Sequence, residues 1–382
     1  MTPPKNPRHS ATIQEIIEAF KQLDDPRMVN KNDHLLIDII VIAVCAVIAG
    51  ADGPTAIGTW ADIHQENLKR YLKLPNGIPS HDTFGRVLKR LKPIEFQKCF
   101  IKWIETLRKT NVEIREHIAI DGKEVRGSRK NNLGALHVVS AWSTENGIAL
   151  GQIATEEKSN EITAIPQLLD QIDISGGVIT IDAIATQKNI VKKITDKDAD
   201  YVIAVKGNQK KLHQAVKELF ETTDLNGRKV SRFVEQEQSH GRFEYREYYQ
   251  MLVGKDFLLQ KQWAGLKSVI LAIRTHMDKN GKTVTEKRYF ISSLGRDSRA
   301  AARYVRKHWG IENSLHWVLD MTFREDESQI EDRILGENLS WIRRFTVTLV
   351  KAHPLKDSIV GKRRWAAWSF DFLMELLQCP GK

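Results

Sequence analysis

The first hundred residues carry apolar side chains at helical spacing. "ATIQEIIEAFKQL" repeats them every three or four positions, and Ile39–Ala51 is an apolar run of 13 residues, too short to span a bilayer and typical of a buried helix. Pro54, Ser80 and Pro93 stand where further helices should begin, because proline and serine are favoured at helix N-termini. The pattern predicts a helical N-terminal domain over residues 1–112.

The pattern changes to strands near residue 117. "HIAID", "LHVVSAWS", "GIALGQIATEEK", "GVITIDA" and "YVIAVKG" are rich in Val, Ile and Ala, and "EITAIPQLLDQI" and "TQKNIVKKITDKDA" between the last three have helical spacing. Three strands at hairpin spacing, followed by two helix–strand units, predict a mixed sheet with flanking helices. The last two strands should be parallel, because such crossovers join parallel strands. The fold class expected is therefore α/β.

A second β-rich segment follows, at about residues 225–294. "RFEYREYYQMLV", "LKSVILAIRTHM" and "NGKTVTEKRYFISSL" are strand-like, and Asn280 with Gly281 favours a tight turn. After Arg296 the helical pattern returns in "SRAAARYVRKHWGIENSLHWVLD" and "ENLSWIRRFTVTLVKAH". We therefore expect residues 113–382 to form one domain that contains a β-rich insertion.

The charge of the chain favours a polyanionic partner. Its net charge is +10 and its pI about 9.3, with an otherwise ordinary 41% of hydrophobic residues. Four basic residues lie along the helix predicted to begin at Ser80: Arg86, Lys89, Arg90 and Lys92. They could form a solvated face of the helix or contact DNA.

The cysteines and the N-terminus suggest a cytoplasmic protein. Cys45, Cys99 and Cys379 lie far apart and form no C-x-x-C pair, which favours a reducing compartment and argues against a zinc site. "MTPPKNPRHSATIQ" contains no apolar segment of the kind that secretory signals carry.

Three acids form a candidate catalytic site. Asp121 and Asp182 each follow an apolar strand and precede a small residue. If those strands are parallel neighbours, their ends lie about 4.8 Å apart. Carboxylates that close repel unless a cation lies between them, and two metal ions would suit phosphoryl transfer. Glu312 is the third candidate, with His308 and His316 one helical turn away on either side.

Each of these residues also has a structural interpretation. An aspartate at the end of a strand is more often a turn residue, and a glutamate on a helix is usually paired with a nearby cation. A richer acidic cluster, Glu325 to Glu327, lies downstream, and we expect it to be solvated. Lys123, Arg126 and Arg129 near the first acid fit either a loop contact or a phosphate contact.

The order of the motifs resembles one known family. "AIDGKEVRGS", "TIDAIATQKNIV", "YVIAVKGNQKKL", "SHGRFEYR", "RYFISSL" and "HWGIENSLHWVLDMTFREDESQ" are similar to segments of the insertion-sequence DDE transposases, in the branch that includes the H-repeat-associated proteins of Rhs elements. The resemblance covers essentially the whole chain. It implies a ribonuclease-H-like core, a β insertion between the second and third acids, and Asp121, Asp182 and Glu312 as the residues that bind metal.

The resemblance also implies a reaction and its partners. Two Mg²⁺ ions, or Mn²⁺ in their place, would support cleavage of double-stranded DNA at the element ends and transfer of the freed 3′-hydroxyl into target DNA. We expect a homodimer on DNA, with no membrane partner and no small-molecule cofactor. An inactive or domesticated DNA-binding relative, or a nuclease without strand transfer, remains as the alternative.

The sequence departs from the family on the third-acid helix. Related transposases place Tyr, Arg, Glu and Lys at offsets that here fall on Val305, His308, Glu312 and Leu319. The resemblance suggests that the histidine replaces the arginine near a phosphate and that Lys206 supplies a further phosphate contact. His316 is a third candidate for contact with DNA. Three tryptophans fit either the core or stacking on an unpaired base: Trp263, Trp309 and Trp317.

Overall fold

A computed structural model describes residues 7–28, 32–104, 115–129, 134–155, 161–239, 242–254, 256–277 and 282–378. The predicted turn at Asn280 and Gly281 lies outside the described residues, as do Cys379 and the predicted domain boundary at residue 112.

The N-terminal region is helical, as the sequence predicted. Its described residues form the helices α1 Pro7–Phe20, α2 Leu36–Ala49, α3 Pro54–Ile63, α4 Gln65–Leu68, α5 His81–Leu88 and α6 Pro93–Ile104.

The helices begin where the sequence indicated. The Ser80 side chain accepts a hydrogen bond from the backbone N–H of Thr83 at the start of α5, and Pro54 and Pro93 open their helices. Helix α2 is buried along most of its length. Within the described residues no single helix has the length and apolarity to cross a bilayer, and α2 meets those criteria only together with α3, across a bend of 94°.

One nine-stranded mixed sheet forms the centre of the chain. Its order is β3-β2-β1-β4-β5-β9-β8-β7-β6. The predicted parallel strands are confirmed, since β1, β4 and β5 run parallel and the other pairs are antiparallel. The strands are β1 His117–Val125, β2 Leu136–Ser143, β3 Ile148–Thr155, β4 Val178–Ile181, β5 Asp200–Val205, β6 Val230–Ser239, β7 Arg242–Leu252, β8 Ser268–Met277 and β9 Thr283–Ser292.

Helix α7 Glu161–Gln171 connects β3 to β4, α8 Lys188–Asp196 connects the parallel strands β4 and β5, and α9 Lys210–Thr222 follows β5. The β-rich segment predicted at about 225–294 contains β6 to β9, and it continues the central sheet. Strand β9 pairs with β5 from Val202↔Ser292 to Val205↔Tyr289.

The C-terminal helices pack over the sheet and the N-terminal helices. They are α10 Ser298–His308, α11 Trp317–Met321, α12 Arg333–Ala352, α13 Ile359–Trp368 and α14 Phe370–Leu377. Helix α12 contacts both regions: the Thr348 hydroxyl accepts from Ala149 N at 3.1 Å, and the Asn338 amide donates to Leu88 O at 2.7 Å. A single apolar core therefore runs from the N-terminal helices to the sheet.

Candidate active site

Two of the predicted acids lie side by side on the sheet. Strands β1 and β4 pair in parallel as far as Ile120↔Ile181, so Asp121 and Asp182 are the next residues on neighbouring strands. Strand β4 ends there, and Asp182 accepts a hydrogen bond from Ala183 N at 2.6 Å at the start of a short 3-10 turn.

The prediction that Asp121 ends its strand is wrong. Strand β1 continues to Val125, because β2 still offers it an antiparallel partner as far as Leu136↔Val125. Asp121 therefore projects from the middle of a strand, at the position where the parallel neighbour stops. A carboxylate held by a continuous ladder has a more rigid backbone than one on a turn.

The third acid lies on an irregular part of its helix. Glu312 begins a π-helical turn, Glu312–His316, between α10 and α11, whereas the sequence predicted a regular helix. Such turns are rare and occur frequently at functional sites. The apolar residues around it are buried as expected: Ile311, Leu315 and Leu319. They hold this segment against the rest of the fold.

The three acids line one cavity of about 240 Å³, together with Lys206 and His308. Burial, together with the negative charges of Glu161, Glu312 and Asp182, raises the pKa of Asp121 to about 7. Burial, followed by the charge of Asp182, also raises the pKa of Glu312. The acids are thus close enough to oppose one another's ionisation.

Asp182 behaves differently from the other two acids. Burial opposes its ionisation, but the hydrogen bond from Ala183 and the charge of Lys206 outweigh that effect and leave its pKa below the ordinary value. The Lys206 ammonium lies 3.3 Å from Asp182 Oδ1 and is exposed. This predicted phosphate contact therefore borders the cavity, beside a carboxylate that is ionised at neutral pH.

The residues at the cavity fit a hard divalent cation in their chemistry. Carboxylate oxygens are the ligands that Mg²⁺ prefers, and the repulsion that raises the pKa values of Asp121 and Glu312 is what a cation would relieve. Among the described residues, no three His, Cys, Asp or Glu side chains already converge as ligands on one point. The carboxylates would therefore have to rotate toward an ion in order to share it.

Both predicted histidines lie near the acids, but both favour the neutral form. His316 Nδ1 is 3.5 Å from Asp121 Oδ2, and His316 is only 9% exposed. Burial lowers the pKa of His316 to about 3 and that of His308 to about 4. His316 therefore contacts the carboxylate rather than solvent, and neither ring is a cation that could replace an arginine beside a phosphate.

The three basic residues near Asp121 have different environments. Lys123 is 6% exposed, and its ammonium lies 2.6 Å from Asp320 Oδ1 and 2.7 Å from Asp326 Oδ1. This burial favours the structural interpretation of Lys123 over contact with DNA. The side chains of Arg126 and Arg129 are 80% and 68% exposed, so their guanidinium groups can reach a partner.

The prediction that the downstream acidic cluster is solvated is wrong for Glu325. That carboxylate is fully buried, and its Oε1 accepts from Arg344 Nη1 and from the Ser340 hydroxyl, each at 2.9 Å. The charge of Arg344 and that of Lys123 hold its pKa at about 2, although burial opposes ionisation. Glu327, by contrast, is exposed and pairs with its neighbour Arg324.

The sequence interpretation missed a second carboxylate beside Asp121. Glu161, at the start of α7, is buried, and its Oε1 lies 2.7 Å from His137 Nε2. A Cβ atom at Gly122 would lie 2.4 Å from both of those atoms. The glycine directly after Asp121 was therefore the available signal, because a missing side chain there makes room for this pair.

Arginines of the β-rich segment and of α10 were also missed. A second cavity, of about 650 Å³, adjoins Glu312 and Trp309 and is lined by Arg246, Arg274, Arg288 and Arg306. The Arg288 guanidinium lies over the Trp309 ring, 5.0 Å from its centroid. Trp309 and Trp317 are exposed, but Trp263 is buried and belongs to the core, so it cannot stack on a base.

Comparison with known proteins shows which family this chain resembles. Residues 17–104 match the family model described as DDE_Tnp_1-associated, and residues 113–349 match the model described as Transposase DDE domain. The chain is 41% identical over 373 residues to "Putative transposase YncI" of Escherichia coli O157:H7, which covers 96% of this chain and 95% of that protein.

Further relatives have similar names. The chain is 36% identical to "H repeat-associated putative transposase YhhI" of Escherichia coli (strain K12), across 97% of this chain and 99% of the relative. A structure of the piggyBac transposase synaptic complex with hairpin DNA aligns with a TM-score of 0.44 at 12% identity, over 97% of this chain and 80% of that one. The resemblance noted from the motifs is confirmed: the chain belongs to the family of transposases with a DDE domain, together with the H-repeat-associated proteins.

Proposed function

We propose that this protein is a metal-dependent transposase that cuts phosphodiester bonds at the ends of its element and joins the freed 3′ ends to target DNA. The observation that carries the proposal is the convergence of Asp121, Asp182 and Glu312 on one cavity, from three separate elements of a chain in the DDE family.

We also propose that the sheet has a ribonuclease-H-like core. The order β3-β2-β1-β4-β5, with three antiparallel strands followed by two parallel ones, supports it. In this proposal residues 1–112 form a helical domain, and β6 to β9 are an insertion in the catalytic domain of residues 113–382.

The three acids and their neighbours have distinct tasks in the proposed reaction. Asp121, Asp182 and Glu312 supply carboxylate oxygens for two Mg²⁺ ions, which when bound lower the pKa of an attacking water and offset charge in the transition state. The Asp121 carboxylate is oriented by His316, whose neutral ring lies beside it. The Lys206 ammonium, exposed beside Asp182, is available to a phosphate oxygen of the substrate.

Double-stranded DNA is the proposed substrate, and the net charge of +10 favours it. Arg126 and Arg129, which follow Asp121 in the chain, have exposed side chains. The basic residues of the α5 region are also exposed: Arg86, Lys89, Arg90 and Lys92. We also propose that the protein acts on the DNA of its own cell, as a homodimer that holds the two ends of the element.

A cleavage assay tests the proposal. Purified protein is incubated with Mg²⁺ or Mn²⁺ and DNA that carries the sequences flanking its gene, and nicked and joined products are separated on gels. We expect Asp121→Asn and Glu312→Gln to bind this DNA without cutting it. Glu327→Gln is the matched control, because that carboxylate is exposed and does not line the cavity. It should cut at the wild-type rate.

Three outcomes contradict parts of the proposal. A Glu312→Gln protein that cuts at the wild-type rate removes that residue from the site. Wild-type protein that binds the DNA but never cuts it is an inactive DNA-binding relative. Cutting without any joined product, at saturating target DNA, identifies a nuclease that does not transfer strands.

A further inference from the structure

A line of four hydrogen bonds runs beneath the cavity and ends at His308. His308 Nδ1 lies 2.9 Å from the Thr180 hydroxyl, which lies 2.8 Å from His117 Nε2. On the other side of that ring, His117 Nδ1 lies 2.9 Å from the Thr144 hydroxyl, and this hydroxyl donates to Glu145 Oε2 at 2.9 Å. His117 and Thr180 are buried, so water does not compete for these bonds.

The carboxylate at the far end fixes the direction of these hydrogen bonds. Glu145 is ionised at neutral pH: burial opposes ionisation, but hydrogen bonds from Lys307 and Arg303 outweigh it and lower the pKa to about 2. An ionised carboxylate only accepts hydrogen bonds. The single Thr144 proton is therefore directed to Glu145, at a shorter distance than the alternative acceptor, the His117 carbonyl oxygen at 3.4 Å.

The donor and acceptor of each further hydrogen bond follow from those of the bond before it. Because the Thr144 oxygen has given its proton to the carboxylate, it accepts from His117 Nδ1–H. A neutral imidazole carries one proton, so His117 Nε2 is an acceptor and the Thr180 hydroxyl donates to it. Thr180 has then used its only proton, and its oxygen accepts from His308 Nδ1–H.

The opposite direction would require a charged ring. If His117 carried protons on both nitrogens, Thr180 would accept from it and would donate to His308 Nδ1. Burial opposes that charge and lowers the pKa of His117 to about 3, although the nearby Glu145 carboxylate favours it. At neutral pH the ring of His117 is therefore neutral, and the first direction holds.

We propose that His308 is held as its Nδ1–H tautomer by this line of residues, and that its unprotonated Nε2 is presented to the cavity as a hydrogen-bond acceptor. His308 lines the cavity together with Asp182, and Nε2 has no hydrogen-bond partner among the residues that the structure describes. An unprotonated Nε2 repels phosphate oxygens, but it accepts a hydrogen bond from a water or a hydroxyl group. His308 thus orients the attacking water or 3′-hydroxyl, instead of replacing the phosphate-binding arginine as the sequence suggested.

Thr180, His117 and Thr144 are positioning residues in this arrangement, since they act only through His308. The tautomer follows from the hydrogen bonds and from the charge states of Glu145 and the histidines, whereas its use in cleavage rests on the proposed function. The two parts therefore have separate experiments.

The tautomer can be read by NMR without DNA or metal. The full chain is labelled with ¹⁵N-histidine, and the His308 signals are identified by their loss in His308→Gln. We expect a protonated Nδ1 and an unprotonated Nε2 at pH 7, retained in Thr180→Ser. In Thr180→Val, an isosteric change on a β strand, a measurable fraction of the proton should move to Nε2. A wild-type ring protonated at Nε2, or a Thr180→Val ring with an unchanged tautomer, overturns the proposal.

The second experiment measures DNA cleavage. Loss of a hydrogen-bond partner of a metal-binding histidine typically lowers activity about 10- to 100-fold. We expect an effect of that order for Thr180→Val, with DNA binding unchanged and activity restored in Thr180→Ser. Thr346→Val is the matched control, because that threonine is equally buried and its hydroxyl bonds only within α12.

The outcomes distinguish the two proposals. A Thr180→Val protein that has lost the tautomer and still cuts at the wild-type rate refutes the role of His308 in cleavage. Wild-type protein that keeps the Nδ1–H tautomer but does not cut DNA contradicts the proposed function and supports the tautomer.

Discussion

The burial of Asp121, together with its repulsion by the neighbouring acids, should make the stability of the metal-free protein depend on this residue. Its pKa is about 7 in the folded chain, against 3.8 for a free aspartate. A carboxyl whose pKa is raised by folding binds its proton more tightly in the folded state, so stability is lost as the pH rises from about 4 to about 7. The asparagine side chain of Asp121→Asn is uncharged, like the protonated acid, so the variant should not lose stability in this way as the pH rises.

The pKa shift sets the size of the effect. Raising the pKa from 3.8 to about 7 corresponds to at most about 4 kcal/mol, at about 1.4 kcal/mol for each unit. We expect Asp121→Asn to be more stable than the wild type by about 2–4 kcal/mol at pH 8 and by less than about 1 kcal/mol at pH 4.5. The same substitution should abolish cleavage, so stability and activity would move in opposite directions.

Urea unfolding in EDTA at pH 4.5, 6, 7 and 8 measures this difference. Glu337, whose pKa burial also raises to about 7, titrates equally in both proteins and cancels from the comparison. Mn²⁺ at pH 8 should then stabilise the wild type more than the variant, because ions that bind only the folded state raise its stability. A stability gain that is equal at pH 4.5 and pH 8 would refute the reasoning.

Three further predictions follow from the environments of other residues. Glu325→Gln leaves a buried guanidinium of α12 unpaired and should cost about 3–5 kcal/mol in urea unfolding, whereas Glu327→Gln, at an exposed carboxylate, should leave the unfolding midpoint nearly unchanged. Gly122→Ala places a Cβ 2.4 Å from two buried polar atoms, so we expect a loss of about 1–3 kcal/mol, and an unchanged melting temperature would contradict the packing. In fluorescence anisotropy, DNA affinity should fall steeply with salt, and replacing both Arg126 and Arg129 by Ala should make that slope shallower by about 2.

Short-range patterns were sufficient for much of the fold. The N-terminal helices, the cap at Ser80 and the buried helix α2 follow from periodicity and from residues that satisfy the backbone locally. Alternation of strands and helices predicted the parallel pairs β1–β4 and β4–β5. Because those strands pair in register, the sequence also brought Asp121 and Asp182 together correctly.

The sequence was insufficient where a residue's environment comes from distant parts of the chain. Lys123 and Asp326, which are 203 residues apart, form an ion pair, and Glu325 is buried against Arg344. From charge alone, Lys123 had fitted either a loop contact or a contact with DNA, and Glu325 had been expected to be solvated. Charge patterns do not indicate burial, and burial decides whether a charged side chain is paired inside the fold or available at the surface.

What the sequence by itself determined is the set of helices and strands, the family, and the identity of the candidate acids. The tertiary structure decided how those acids behave. It extended β1 past Asp121, placed Glu312 on a π-helical turn, and joined His308 to His117 through Thr180. The physical reason is the distance along the chain over which each effect acts. Backbone propensities act over a few residues, whereas pKa values and tautomers depend on groups that only folding brings within hydrogen-bond distance.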